Sequence, residues 1–178
     1  MGLVELEISL KAWEGLPCGC GHSAGHLAED LLRLTRGQTD ISARDALENH
    51  VWIPATLYSP APAVTSVALA VLAEGASSPI RDQFLELLLA LVGGDGSDAN
   101  SRARGLDLAE VCREVASPGA WLLYAEVLSG RSVSAAGNAF EVLWLVDSDR
   151  QRLQGVRVTA ADLLPWYCRT DNPLFDID

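Results

Sequence analysis

Residues 59–94 read "SPAPAVTSVALAVLAEGASSPIRDQFLELLLALVGG". Two Ser-Pro pairs, Ser59-Pro60 and Ser78-Pro79, each stand just ahead of an apolar segment. Proline at a first helical position gives up only an N–H that has no helical partner, and serine at the cap can accept from an orphan amide. Pro60 therefore opens an almost wholly apolar helix that runs to about Glu74 and is closed by Gly75. After Pro79, residues Ile80, Phe84, Leu87, Leu88 and Leu91 fall at helical spacing, and Gly93-Gly94 ends the run. Two helices joined by a few residues set the expectation for the whole chain: mainly α.

Working outward, Ser117-Pro118 repeats the signal, with Trp121, Leu122, Ala125 and Leu128 at helical spacing up to Gly130. Ser42 and Asp45 resemble a capping box for a helix over 43–52, which Pro54 would end. Further helices are predicted over 22–36, 106–115 and 160–167, and another over 133–146 despite Gly137-Asn138 in its interior. Two segments depart from this period. Val4, Leu6, Ile8 and Leu10 alternate with Glu5, Glu7, Ser9 and Lys11, which predicts a strand within an N-terminal extension, residues 1–21. Residues 150–158 read as extended or loop, and a small sheet could join the two ends. One domain over 1–178 is expected, ending in an acidic tail at 169–178.

The segment "ARDALENHVWIPATLYSPAPAVTSVALAVLAEGASSPIRDQFLELLLALVGG" resembles the HEAT-like repeat proteins common in actinobacteria, and "LAEVCREVASPGAWLLYAEVLSG" resembles a second unit of the same kind. The likeness covers roughly residues 22–146. It implies a short α-solenoid of antiparallel helix pairs, a fold that offers a binding surface and no built-in chemistry.

Asp and Glu total 24 against 13 basic residues, a formal charge of −11. Such a field repels nucleic-acid backbones and anionic lipid and speeds encounter with basic partners. The N-terminus carries Glu5 and Glu7 where a secretory signal needs positive charge, and the longest apolar run, Val67 to Ala73, is far too short for a membrane span. A cytoplasmic protein with four reduced cysteines is expected. These features favour a non-enzymatic binding module, in its sharpest form an immunity or antitoxin-type protein that covers a basic bacterial partner. A scaffold or regulatory adaptor is the alternative from the same class. The expected contact residues are the carboxylate pairs Asp45/Glu48 and Asp107/Glu110, with Trp52 and Tyr58 at a helix corner as aromatic anchors.

Chemistry-bearing residues are few. "PCGCGHSAGH" places Cys18, Cys20, His22 and His26 within nine residues, all of them ligand types for zinc, with glycines that let the backbone fold around an ion. A metal-binding accessory protein or enzyme built on these four is the third reading. The C-x-C-x-H-x3-H spacing nonetheless crowds every ligand onto one turn, whereas structural zinc draws on a remote second pair. The same residues also read as a glycine loop leading into a helix, and on that reading the chain holds no metal and no cofactor. His50 is expected near the C-terminal end of its helix, where a partly charged imidazole suits the dipole. No nucleophile elbow or phosphate loop is present, and "DGSD" at 95–98 lacks the bidentate Glu of a calcium loop.

Overall fold

A computed structural model describes residues 1–169, so most of the tail expected at 169–178 lies outside them. In chain order the elements are α1 (Leu3–Ser9), α2 (Gly25–Thr35), α3 (Ala43–Leu47), β1 (Trp52–Ile53), β2 (Thr56–Leu57), α4 (Ala61–Glu74), α5 (Ser78–Val92), α6 (Ala99–Ala103), α7 (Leu108–Ala116), α8 (Ala120–Leu128), α9 (Val133–Val146) and α10 (Arg150–Thr159). Single 3₁₀ turns lie at Trp13–Gly15, Ser117–Gly119 and Trp166–Cys168. The fold is mainly helical with one small antiparallel sheet.

The segment 59–94 forms the centre. Helix α4 is buried on nearly every side, through Ala61, Val64, Val67, Ala68 and Val71 among others, and packs against α1, α5 and α7. Its one buried hydroxyl, Thr65, donates to the Ala61 carbonyl at 2.9 Å and so is itself satisfied within the core. Gly75 ends the helix at φ 84°, the left-handed geometry that glycine adopts without strain. Helix α5 buries Phe84, Leu85, Leu87, Leu88 and Leu91 and carries the core onward to α9, which pairs with α8. Pro60 and Pro79 stand at the starts of α4 and α5 as expected, whereas Ser117-Pro118 forms the 3₁₀ turn between α7 and α8, whose N-cap is Gly119; Ser77 is the N-cap of α5 without a side-chain bond, and Ser59 Oγ meets Ser101 Oγ at 3.3 Å.

The N-terminal strand is corrected to a helix. Val4 and Ile8 satisfy a period of four as well as a period of two, and both are buried on one face of α1. The deciding contact is remote: the Glu74 carboxylate accepts from the Val4 amide at 3.0 Å, satisfying an orphan donor of the first turn. Residues 150–158 are also helical. Asp149 caps α10 by accepting from the Arg152 amide, and the buried stripe consists of Leu153 and Arg157. An arginine replaces an apolar residue there because its Nε donates to the Cys168 carbonyl at 3.0 Å. The helix expected over 160–167 is a turn followed by the 3₁₀ turn at Trp166.

The strands lie elsewhere. The helix expected over 43–52 stops at Leu47, where Ser42 Oγ accepts from the Asp45 amide as read from sequence. Asn49 then takes φ 65° and reverses the chain. A hairpin follows, with Trp52 opposite Leu57 and Ile53 opposite Thr56, turning through Pro54 and Ala55. Strand β2 is held by the segment after α5: the Leu57 amide donates to the Gly96 carbonyl and the Asp98 amide to the Leu57 carbonyl, each at 2.8 Å. Asp98 itself caps α6 rather than standing free in solvent.

A buried ion pair ties α5 to α8. Arg81 donates to Glu126 Oε2 at 2.8 Å, and both side chains are nearly inaccessible. Arg131 reaches the same oxygen from the surface at 3.5 Å.

Candidate metal centre

Three separate parts of the chain meet beside the hairpin. The first is residues 16–24, a tight loop closed by its own backbone. The Ala24 amide donates to the Leu16 carbonyl at 2.9 Å, the Cys18 amide to the His22 carbonyl at 2.9 Å, and the Gly21 amide to the Cys18 carbonyl at 3.0 Å. The last bond closes a β-turn over Cys18-Gly19-Cys20-Gly21, with Gly21 at φ 86°. The second part is the first turn of α2, which carries His26. The third is the turn after α3, which carries His50.

Gly19 locks the first part to the third. Its amide donates to the His50 carbonyl at 2.9 Å. A methyl group on its Cα would stand 2.5 Å from the Asn49 carbonyl oxygen and 2.5 Å from the Tyr58 ring. Only glycine permits this approach.

The result is four donor atoms, from Cys18, Cys20, His26 and His50, all within 4.8 Å of one another. Cys18 Sγ lies 3.4 Å from His50 Nδ1 and 3.9 Å from His26 Nε2, and the two nitrogens are 3.0 Å apart. A tetrahedral zinc ion with ordinary bond lengths needs edges of about 3.6 Å between sulfur and nitrogen and about 3.4 Å between two nitrogens. The two sulfur–nitrogen edges bracket the first value, and the nitrogen–nitrogen edge is shorter than the second. The set is two thiols and two imidazoles, which as two thiolates neutralise a divalent cation.

The orientation of each ligand has an identifiable cause. His26 Nδ1 lies 3.2 Å from the Ser23 carbonyl, which can only accept, so Nδ1 carries the proton and Nε2 presents its lone pair inward. Burial pushes the Cys18 thiol up to about 11, against a smaller lowering by the nearby backbone amides of Cys20 and Gly19, and the thiol donates to the His50 carbonyl at 3.3 Å, so a metal must displace its proton. Burial, then neighbouring His26, pulls His50 down, with Asp30 acting the other way; the neutral, ligating form is favoured.

Three of the four candidate ligands read from the sequence, Cys18, Cys20 and His26, lie in the cluster. His22 is exposed and outside the cluster, because its carbonyl is committed to the Cys18 amide. His50 takes its place; it stands beyond the end of α3, so the helix-dipole role read for it does not apply. The sequence signal that could have found His50 was slight: a single histidine just before a proline-bounded hairpin.

The expected contact residues are distributed over α3, the hairpin and the start of α7. Trp52 is 7% exposed and belongs to the core, which corrects its reading as a partner anchor: the hairpin turns its ring inward opposite Leu57. Tyr58 is half-buried with its ring against Gly19. Asp107 spends its carboxylate capping α7, accepting from the Ala109 and Glu110 amides at 3.0 and 3.2 Å. Glu110 is exposed and paired with Arg113; Asp45 is exposed, and Glu48 is half-buried at the end of α3.

No family model, curated protein or solved structure matches the chain. No helix among the described residues is long and apolar enough to cross a membrane.

Proposed function

We propose that this chain is a metal-stapled helical binding protein in which Cys18, Cys20, His26 and His50 hold one zinc-class ion. The observation that carries the reading is the convergence of four soft and borderline donors within 4.8 Å from segments up to 32 residues apart. Four protein ligands fill a tetrahedral shell and leave no position for water or substrate, which is the arrangement of a structural rather than a catalytic ion. The ion would fix the loop at 16–26 to the turn before the hairpin. Elemental analysis of protein purified without chelator tests this directly. One zinc per chain, lost in the His50→Ala variant, is expected; a wild-type protein that takes up no zinc in a metal titration refutes it.

The helical body supports a second, compatible reading. The formal charge of −11 and the succession of helix pairs, α4 with α5 and α8 with α9, favour a HEAT-like solenoid acting on a basic protein partner, as an immunity or antitoxin-type protein does. A scaffold or adaptor role would use the same surface. A reducing cytoplasm suits four cysteines that are all free thiols. The partner reading predicts co-purification with a basic protein encoded beside it and binding that weakens steeply with salt. An affinity independent of ionic strength would sink it.

A further inference from the structure

The four ligands are not equally protected. Cys18 is buried at 7% exposure, whereas Cys20 stands exposed at the outer corner of the β-turn. The turn that carries both sulfurs also brings them together, since their donor atoms fall within the same 4.8 Å cluster and only Gly19 separates them in sequence. A disulfide needs a sulfur separation of about 2.05 Å, so closure asks for side-chain rotation and a small adjustment of the turn. The remaining thiols, Cys112 and Cys168, are 0% exposed and lie in the helical core, away from solvent-borne reagents.

We infer that the centre is an oxidant-released staple, in which a hydroperoxide enters at Cys20 and converts Cys18 and Cys20 into a disulfide that expels the ion. This rests on the reading of the four residues as a metal site. In the reaction the ion's bonds to the two sulfurs and to the two histidine nitrogens break, as does the peroxide O–O bond, and one S–S bond forms. The two sulfurs together lose two electrons. Hydrogen peroxide accepts them and, with two protons from solvent, leaves as two waters. The metal departs as the divalent cation with its oxidation state unchanged. Attack starts at Cys20 because the reacting thiolate must be reached from solvent, and Cys18 then resolves the sulfenic acid because it is the adjacent thiol. The small ring of a C-x-C disulfide is readily reduced, so thiol reductant plus zinc restores the staple. Once the ion has left, the loop at 16–24 keeps its own backbone bonds, and among the backbone bonds described only that from Gly19 to His50 still holds it to the third segment.

The experiment uses the full zinc-loaded chain. Metal content is measured first, then hydrogen peroxide is added, released zinc is followed with a chromogenic chelator, and the peptide containing residues 18 and 20 is weighed. The expected result is a fall from one zinc per chain to near zero, a loss of about 2 Da in that peptide, and recovery of both on adding dithiothreitol and zinc. The Cys20→Ser variant should give no disulfide in that peptide, while Cys112→Ser should behave as wild type. Zinc that stays bound under peroxide, or leaves with oxygen added to Cys20 and no disulfide, overturns the inference while the metal site stands. Failure to bind zinc before any oxidant is added overturns the site itself and this inference with it.

Discussion

Replacing His50 by alanine is the perturbation that separates a working staple from a chance gathering of side chains. His50 is the ligand remote in sequence, 32 residues from Cys18. An ion held by both restricts the unfolded chain as a covalent cross-link would. For a closed loop of that length the loop-closure entropy is worth about 3.7 kcal/mol at 25 °C. The side chain itself contributes little else, since it is half-buried and its other polar contacts are to His26 and Cys18 within the same cluster. In zinc-loaded protein His50→Ala should therefore lower stability by about 3–4 kcal/mol, which for a chain of this size moves Tm by about 7–15 °C. Chelator should lower the wild type by a similar amount and leave the variant nearly unmoved, so the two metal-free proteins should melt within a few degrees of each other. Thermal melts followed by far-UV circular dichroism, with and without chelator, give all four values. Equal Tm values for wild type with and without chelator would refute the argument, as would a variant that is equally destabilised in both states.

Gly19→Ala forces a methyl group to within 2.5 Å of the Asn49 carbonyl and of the Tyr58 ring, so the loop must withdraw; zinc affinity should drop at least about tenfold and stability by about 1–3 kcal/mol, read by competitive titration and by denaturant unfolding. Glu126→Ala leaves the buried Arg81 guanidinium without its carboxylate and should cost about 3–5 kcal/mol in urea unfolding, and a loss below 1 kcal/mol would contradict the burial of the pair. Tyr124 donates to Asp147 at 2.7 Å, and burial followed by that bond pushes its phenol up to about 12. Its folded pKa lies above the unfolded value, so the stability it contributes is complete below about pH 10 and is lost as pH rises toward 12. Spectrophotometric titration at tyrosinate wavelengths should show the late-titrating phenol of the wild type disappear in Tyr124→Phe.

Most of the helical architecture was legible because it is written locally. The proline starts and glycine stops around α4 and α5 are backbone constraints that act within a few residues, and the apolar spacing of α5 and α9 reports one buried face each. Legibility failed where a distant group decided the outcome. Helix α1 reads as a strand until Glu74 is seen capping it across the fold, and α10 reads as a loop until Arg157 is seen donating to the Cys168 carbonyl. The two-residue strands are too short to leave a periodic signal, and they exist because the segment at 96–98 pairs with β2.

The candidate centre divides in the same way. The residues "CGCGHSAGH" at 18–26 supply by themselves the ligand chemistry and the glycines that let a backbone turn on itself, so three of the four donors could be named from the sequence. Which histidine completes the set was a tertiary decision. His22 is near in sequence, but its carbonyl closes the loop on Cys18 while its side chain faces solvent; His50 is far in sequence, but Gly19 lets two backbones approach until its carbonyl accepts the Gly19 amide and its ring meets Cys18. Local sequence fixes the conformations open to a few residues, whereas a four-ligand shell is a relation among points in space that exists only once separate segments are packed together.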